Sequence, residues 1–152
     1  RICKAGKWTP VSADEYRPRA GTPLLHAMDK VLDMAFAENC QKTIFVVMTD
    51  SEENSSPTWG TRDKIKEKLA RCERNSWPVV FLGAGFDRVG DVARGLNVSS
   101  AYTTNICKGN LGATMTARGL ASSSYFASAS PEVGYNTVAV SDEERATALK
   151  GQ

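Results

Sequence analysis

The sequence predicts an α/β fold: an open, doubly wound, mainly parallel sheet with helices on both faces. Two apolar runs at 44–48 and 79–82 are continuous, rich in β-branched residues and too short for stable helices, the pattern of strands covered on both faces. Helical periodicities stand before, between and after them, and that alternation is the signature of a layer built with right-handed crossovers. The length agrees, since 152 residues suit one domain that buries roughly 68–70% of its unfolded surface.

Along the chain, the stretch to Gly21 is turn chemistry punctuated by Pro10 and Pro18. Thr22 is an N-cap candidate and Pro23 suits a first helical position, while Leu25, Met28, Leu32 and Ala35 recur at spacings of three and four, predicting a helix through Phe36 that stops at Asn39. A strand follows over 42–50 and a polar loop over 51–60. Thr61 opens a second helix to Arg74, with Ile65, Leu69 and Cys72 inward and Lys64, Lys66, Lys68 and Arg71 on the solvent side. The second strand ends in Gly83-Ala84-Gly85, a short helix spans 87–96, and 101–104 reads as an edge strand. Residues 111–129 predict a loosely packed helix around Met115, Leu120, Tyr125 and Phe126, weakened at Gly119 by up to about 1 kcal/mol. After Pro131 the text predicts an extended tail, with a terminal helical turn started by Asp142-Glu143-Glu144. The domain is thus assigned to 1–130 and the tail to 131–152. There is no internal repeat.

Composition narrows the function. At 41% hydrophobic and 24% charged residues the chain is an ordinary globular one, and its longest apolar run is far short of the about 20 residues of a membrane-spanning helix. Nineteen basic and seventeen acidic residues are mixed to a net charge of +2, which leaves no electrostatic footprint for nucleic acid. Cys3, Cys40, Cys72 and Cys107 lie far apart, without the paired spacing of a zinc clamp or redox motif, and are expected as free thiols in a reducing compartment. A cytoplasmic location without membrane embedding is the expectation. The single histidine and the absence of a Gly-x-Ser-x-Gly elbow argue against a serine hydrolase, and Gly83-Ala84-Gly85-Phe86 lacks the rest of either nucleotide-binding fingerprint. No catalytic residue is assigned.

In an open parallel sheet, ligands gather beyond the carboxyl ends of the strands. Two segments bring oxygen donors there. Arg17-Pro18-Arg19-Ala20-Gly21-Thr22-Pro23-Leu24 sets a hydroxyl before a helix, and Met48-Thr49-Asp50-Ser51-Glu52-Glu53-Asn54 sets a carboxylate where a buried strand ends. Both donors are hard and suit Mg²⁺ or Mn²⁺. Each also has a simpler reading: Thr22 as an N-cap, Asp50 as an Asx turn, Glu52 and Glu53 as solvated charges, and His26 as a structural histidine beside the apolar stripe.

At these segments the chain resembles the von Willebrand factor A-like, or integrin inserted-domain-like, family, and within it a bacterial and bacteriophage branch. The resemblance also takes in Tyr16-Arg17-Pro18-Arg19, Phe81-Leu82-Gly83-Ala84 and Ser141-Asp142-Glu143-Glu144-Arg145-Ala146, so that it covers most of residues 14 to 147. It implies a metal-ion-dependent adhesion site in which a divalent ion completes its shell with a carboxylate from a protein partner. Carried over, Thr22 would coordinate through its hydroxyl and Asp50 directly or through water, with Ser51, Glu52, Glu53 and Arg19 on the rim. The chain departs from the family in three places: Asp-x-Ser-x-Ser is absent, Ser51 stands where Gly is common, and His26 stands where the branch often has Asp. The chain opens on Arg1-Ile2-Cys3 without an initiator Met, and the family's first strand, which normally sits centrally in the sheet, is expected either upstream together with the missing motif or replaced by another element. The expected function is a non-enzymatic protein-binding module. The rivals are a structural or decoration component of a larger assembly such as a phage virion, and, more remotely, a nucleotide-binding or hydrolytic protein using Asp50 with Mg²⁺.

Overall fold

The structure, a computed structural model, describes residues 21–51, 54 and 61–150 together with Ser12 and Asp14. Strands β1 (Phe45–Thr49), β2 (Val79–Ala84) and β3 (Thr103–Ile106) form one parallel sheet in the order β1-β2-β3. Their register brings Thr49, Gly83 and Asn105 level at the carboxyl end. Helices α1 (Leu24–Glu38), α2 (Thr61–Arg74) and α3 (Val89–Gly95) alternate with the strands, and α4 (Leu111–Ala127), α5 (Pro131–Tyr135) and α6 (Asp142–Leu149) follow. The molecule is therefore a mixed α/β protein with a small parallel sheet.

Strand β2 is buried on both sides, and its alternate residues define the two layers. Val79 and Phe81 pack with Leu25, Met28 and Leu32 of α1, Ile65 and Leu69 of α2 and Val89 of α3. Val80 and Leu82 meet Tyr125 of α4 together with Tyr102, Ile106, Val138 and Val140. With α2 and α3 on one face, both crossovers advance across the sheet with the same hand. Gly83 is obligatory where β2 turns toward α3, because a Cβ there would lie 2.6 Å from the Phe86 carbonyl oxygen and 2.7 Å from the Val89 Cβ.

Five expectations are corrected. Strand β1, expected to be covered on both faces, leaves Val46 and Met48 exposed on one of them. Helix α4, expected to pack around Met115, Leu120, Tyr125 and Phe126, buries Thr114, Arg118 and Tyr125 and leaves the other three at the surface. The segment 131–152, expected as an extended tail, is largely helical through residue 149 and packed: Val138, Val140 and Ala148 are buried. Arg118 of α4 anchors it, its guanidinium donating to Glu144 and to the Val138 and Ala139 carbonyls. The α2 lysines are not simply a wet face: Lys64 and Lys68 reach Asp29 at 2.8 and 2.5 Å, Lys68 also reaches Asp33 at 2.5 Å, and the Arg71 guanidinium lies 4.0 Å from the Phe36 ring centroid. The edge strand starts at Thr103 rather than Ala101, because the Ser99 hydroxyl accepts from the Ala101 N–H and winds 100–102 into a 3₁₀ turn.

Capping ties the second layer to the first. The Lys42 ammonium, just before β1, donates to the Tyr125 and Phe126 carbonyls at 3.2 and 3.1 Å and to that of Ser128, where the C-terminal end of α4 carries partial negative charge. The outer edge of β3 is shielded by α6, whose Arg145 donates to the Thr103 and Ser100 carbonyls. Among the described residues no helix is long and apolar enough to cross a membrane.

Candidate functional site

The carboxyl rim of β1 and the start of α1 form one cleft of about 420 Å³, lined by Thr22, Pro23, Leu24, Met48, Asp50 and Ala84, among others. The local sequence explains why. Thr22 does not cap α1: the helix begins at Leu24 after Pro23, no side chain caps it, and the first turn closes through the Ala27 N–H on the Pro23 carbonyl at 3.0 Å. The Thr22 hydroxyl is instead 2.6 Å from that of Ser51. Asn54 clamps the same residue, its side-chain oxygen accepting from the Thr22 N–H at 2.6 Å and its own N–H donating to the Thr22 carbonyl at 3.2 Å.

The turn after β1 is made by Thr49, not by Asp50. The buried Thr49 hydroxyl donates to the Ser51 carbonyl at 2.7 Å and accepts from the Ser51 N–H at 3.3 Å. That leaves the Asp50 side chain exposed, with no hydrogen bond or ion pair among the described residues. Of the residues singled out in sequence, Thr22, Asp50 and Ser51 thus come together, whereas Arg19, Glu52 and Glu53 lie outside the described residues. His26 is exposed and stands off the buried stripe of α1. The residues that hold the site, Thr49 and Asn54, were not assigned from sequence, although both belong to the Thr-Asp-x-Glu-Glu-Asn run that drew attention to it.

Two hydroxyls and one carboxylate are the right kind of donor for Mg²⁺ or Mn²⁺, but they are few. Among the described residues no three His, Cys, Asp or Glu side chains converge, and a hard cation held by a single carboxylate keeps most of its water. Alongside, Asn105 steadies the rim at β3, its side-chain oxygen accepting from the Phe86 and Ile106 N–H groups and its amide donating to Asp87 at 2.7 Å. Comparison with family models, with curated proteins and with solved structures gives no match to this chain.

Proposed function

We propose that the chain is a non-enzymatic protein-binding module of the von Willebrand A type, built on an open doubly wound sheet, which engages its partner at the carboxyl rim. The observation that supports this is that Thr22, hydrogen-bonded to the Ser51 hydroxyl, shares one cleft at the end of a parallel strand with Asp50, whose side chain has no hydrogen bond or ion pair among the described residues. The simpler readings of these residues lose ground there, since Thr22 caps no helix and Asp50 makes no turn. Thr22, Ser51 and Asp50 would hold one side of a Mg²⁺ or Mn²⁺ ion, and an acidic side chain of the partner would supply another ligand. The ion would contribute charge neutralisation and a vacant coordination position.

Thermal unfolding in a divalent titration tests this. The melting temperature should rise only at tens of millimolar Mg²⁺ or Mn²⁺, because a single carboxylate competes poorly with water, and Asp50→Ala should abolish the rise. A response unchanged in Asp50→Ala would remove the ion from this cleft, and turnover of a nucleotide or phosphoester would end the non-enzymatic reading. A second reading, a structural or decoration component of a larger assembly such as a virion, draws on large apolar side chains left at the surface, Leu120 at 68% and Val133 at 67% exposed. It is favoured by the absence of any divalent response together with assembly into higher-order particles.

A further inference from the structure

The undescribed stretches join the body of the fold at the carboxyl rim of the sheet. Gly21 precedes Thr22 in the cleft there, Asn54 is clamped on Thr22, Thr61 opens the helix that returns to the start of β2, and Asn110, just after β3, holds the Lys150 carbonyl. At the opposite, amino rim the described chain is continuous, and there it encloses a second cavity of about 470 Å³ between the two layers. That size lies within the roughly 300–1,000 Å³ of small-molecule sites. Segments far apart in sequence build it. The later turns of α2 bring Lys66, Leu69 and Glu73, the chain entering β2 brings Trp77, the turn into β3 brings Tyr102, and the C-terminal layer closes it with Tyr135.

The lining has an apolar floor and a charged mouth. Leu69, Trp77 and Tyr102 are buried. Trp77 is fixed in place, its ring stacked on Phe36 with centroids 5.5 Å apart and its indole N–H donating to the Gln41 carbonyl at 3.2 Å. The Tyr102 and Tyr135 rings meet at 5.3 Å, tilted by 56°. Glu73 bears on both of them: burial first, with this carboxylate among the lesser causes, pushes each phenol above its usual 10.0, so both stay uncharged at neutral pH. The Glu73 side chain is itself exposed and has no hydrogen bond or ion pair among the described residues. Lys66, the other charge on the lining, stands about two turns of α2, roughly 10 Å along the axis, from Glu73.

We infer that this cavity binds an organic ammonium ion, its charged nitrogen beside the Glu73 carboxylate and the Tyr102 and Tyr135 rings and its alkyl groups against Leu69 and Trp77. Aromatic rings attract a cation through their quadrupole, more strongly where water is excluded, and the carboxylate at the mouth supplies the countercharge. Other ligand classes fit less of the lining. A hydrated metal ion gains nothing from apolar walls, an uncharged apolar molecule leaves Glu73 unanswered, and an anion is repelled by it. An alkylated ammonium carries its charge under an apolar skin and answers both. The inference rests on the amino rim and not on the Asp50 cleft, so the two stand or fall separately.

Titration of the unmodified chain with choline tests it, followed by calorimetry and by the NMR signals of the Trp77 indole and the Tyr102 and Tyr135 rings. Choline should bind with a millimolar dissociation constant and shift those three signals. It should bind about tenfold more tightly than its uncharged carbon isostere, in which a tert-butyl group replaces trimethylammonium. Glu73→Gln alters an exposed side chain and should weaken choline several-fold without moving the melting temperature of the free protein, while Glu67→Gln, an exposed carboxylate of the same helix outside the lining, should bind as the parent does. No binding at tens of millimolar choline, whatever else fills the cavity, would overturn the inference. So would an isostere that binds as tightly as choline, a Glu73→Gln chain that binds as the parent does, or benzoate binding there in preference to choline and lost in Lys66→Met.

Discussion

Arg118 is the residue whose chemistry decides most. It is 5% exposed, its Nε donates to Glu144 at 2.6 Å and its Nη1 to the Val138 carbonyl at 2.6 Å, and the Glu144 side chain is itself only 8% exposed. Two charges so placed have both lost water, and their attraction must offset that loss. Removing one partner is therefore worse than removing both. Glu144→Ala should destabilise the fold by about 3–5 kcal/mol, seen in a thermal scan as a fall of roughly 6–20 °C for a chain of this size. Arg118→Met with Glu144→Leu should recover most of it. A single variant that unfolds within a degree of the parent would mean that water reaches the guanidinium.

At the scale of elements, α1 and α2 are joined by charges across their outer sides as well as by the core between them. The Asp29 carboxyl is held below its usual value of 3.8 by hydrogen bonds from Lys64 and Lys68, against a smaller opposing effect of burial. A depressed carboxyl stabilises the folded state above its unfolded value and loses that contribution as pH falls through the lowered folded one. Lys68 runs the other way. Burial works to lower it, but the Asp29 and Asp33 carboxylates outweigh burial and raise it above 10.5, so its contribution is complete below that pH and fades as pH climbs through the folded value. Asp29→Asn should cost about 1 kcal/mol at neutral pH and progressively less as pH drops below 4, the denaturation midpoints of parent and variant converging in acid. Midpoints that stay apart in acid would point to packing instead of charge. These pairs show where element-level reading of a sequence stops. The apolar stripe of α1, the Ile65, Leu69 and Cys72 face of α2 and the existence of strands β1 and β2 were legible because each is a local pattern. That Lys68 faces Asp29 and Asp33 was not, because the helices' relative placement is set by packing over the sheet. The same limit applied at the rim: a Thr before Pro reads as a cap, and only the chain folding back at Ser51 and Asn54 gives its hydroxyl another partner.

For the whole molecule, the consequential question is whether residues 131–150 are an appendage or a layer. Their sequence looks like a tail because they hold few apolar residues in no regular period, and short helices such as α5 leave little trace of that kind. Yet Val138 and Ala148 are 1% and 0% exposed, and Val140 is 6% exposed and donates its N–H at 2.8 Å to the Ala101 carbonyl in the 3₁₀ turn before β3. The segment roofs Tyr125, which is fully buried and donates its hydroxyl to the Ser76 carbonyl at 2.8 Å. Without it, Val138 and Val140 go and Arg118 loses Glu144. At about 1.5–3 kcal/mol for each buried aliphatic side chain, with the ion pair in addition, the loss matches the 5–15 kcal/mol that holds an ordinary domain together. Truncation after Ser130 should accordingly abolish cooperative unfolding while retaining helical signal, and the exposed face of β2 and α4 should bind a hydrophobic dye. A true appendage would leave the transition sharp and the dye dark. The segment is a structural layer because the described sheet is narrow: among the described residues it has three strands and only β2 has a strand on each side, so the face carrying Val80 and Leu82 relies on the helices of the C-terminal third to exclude water.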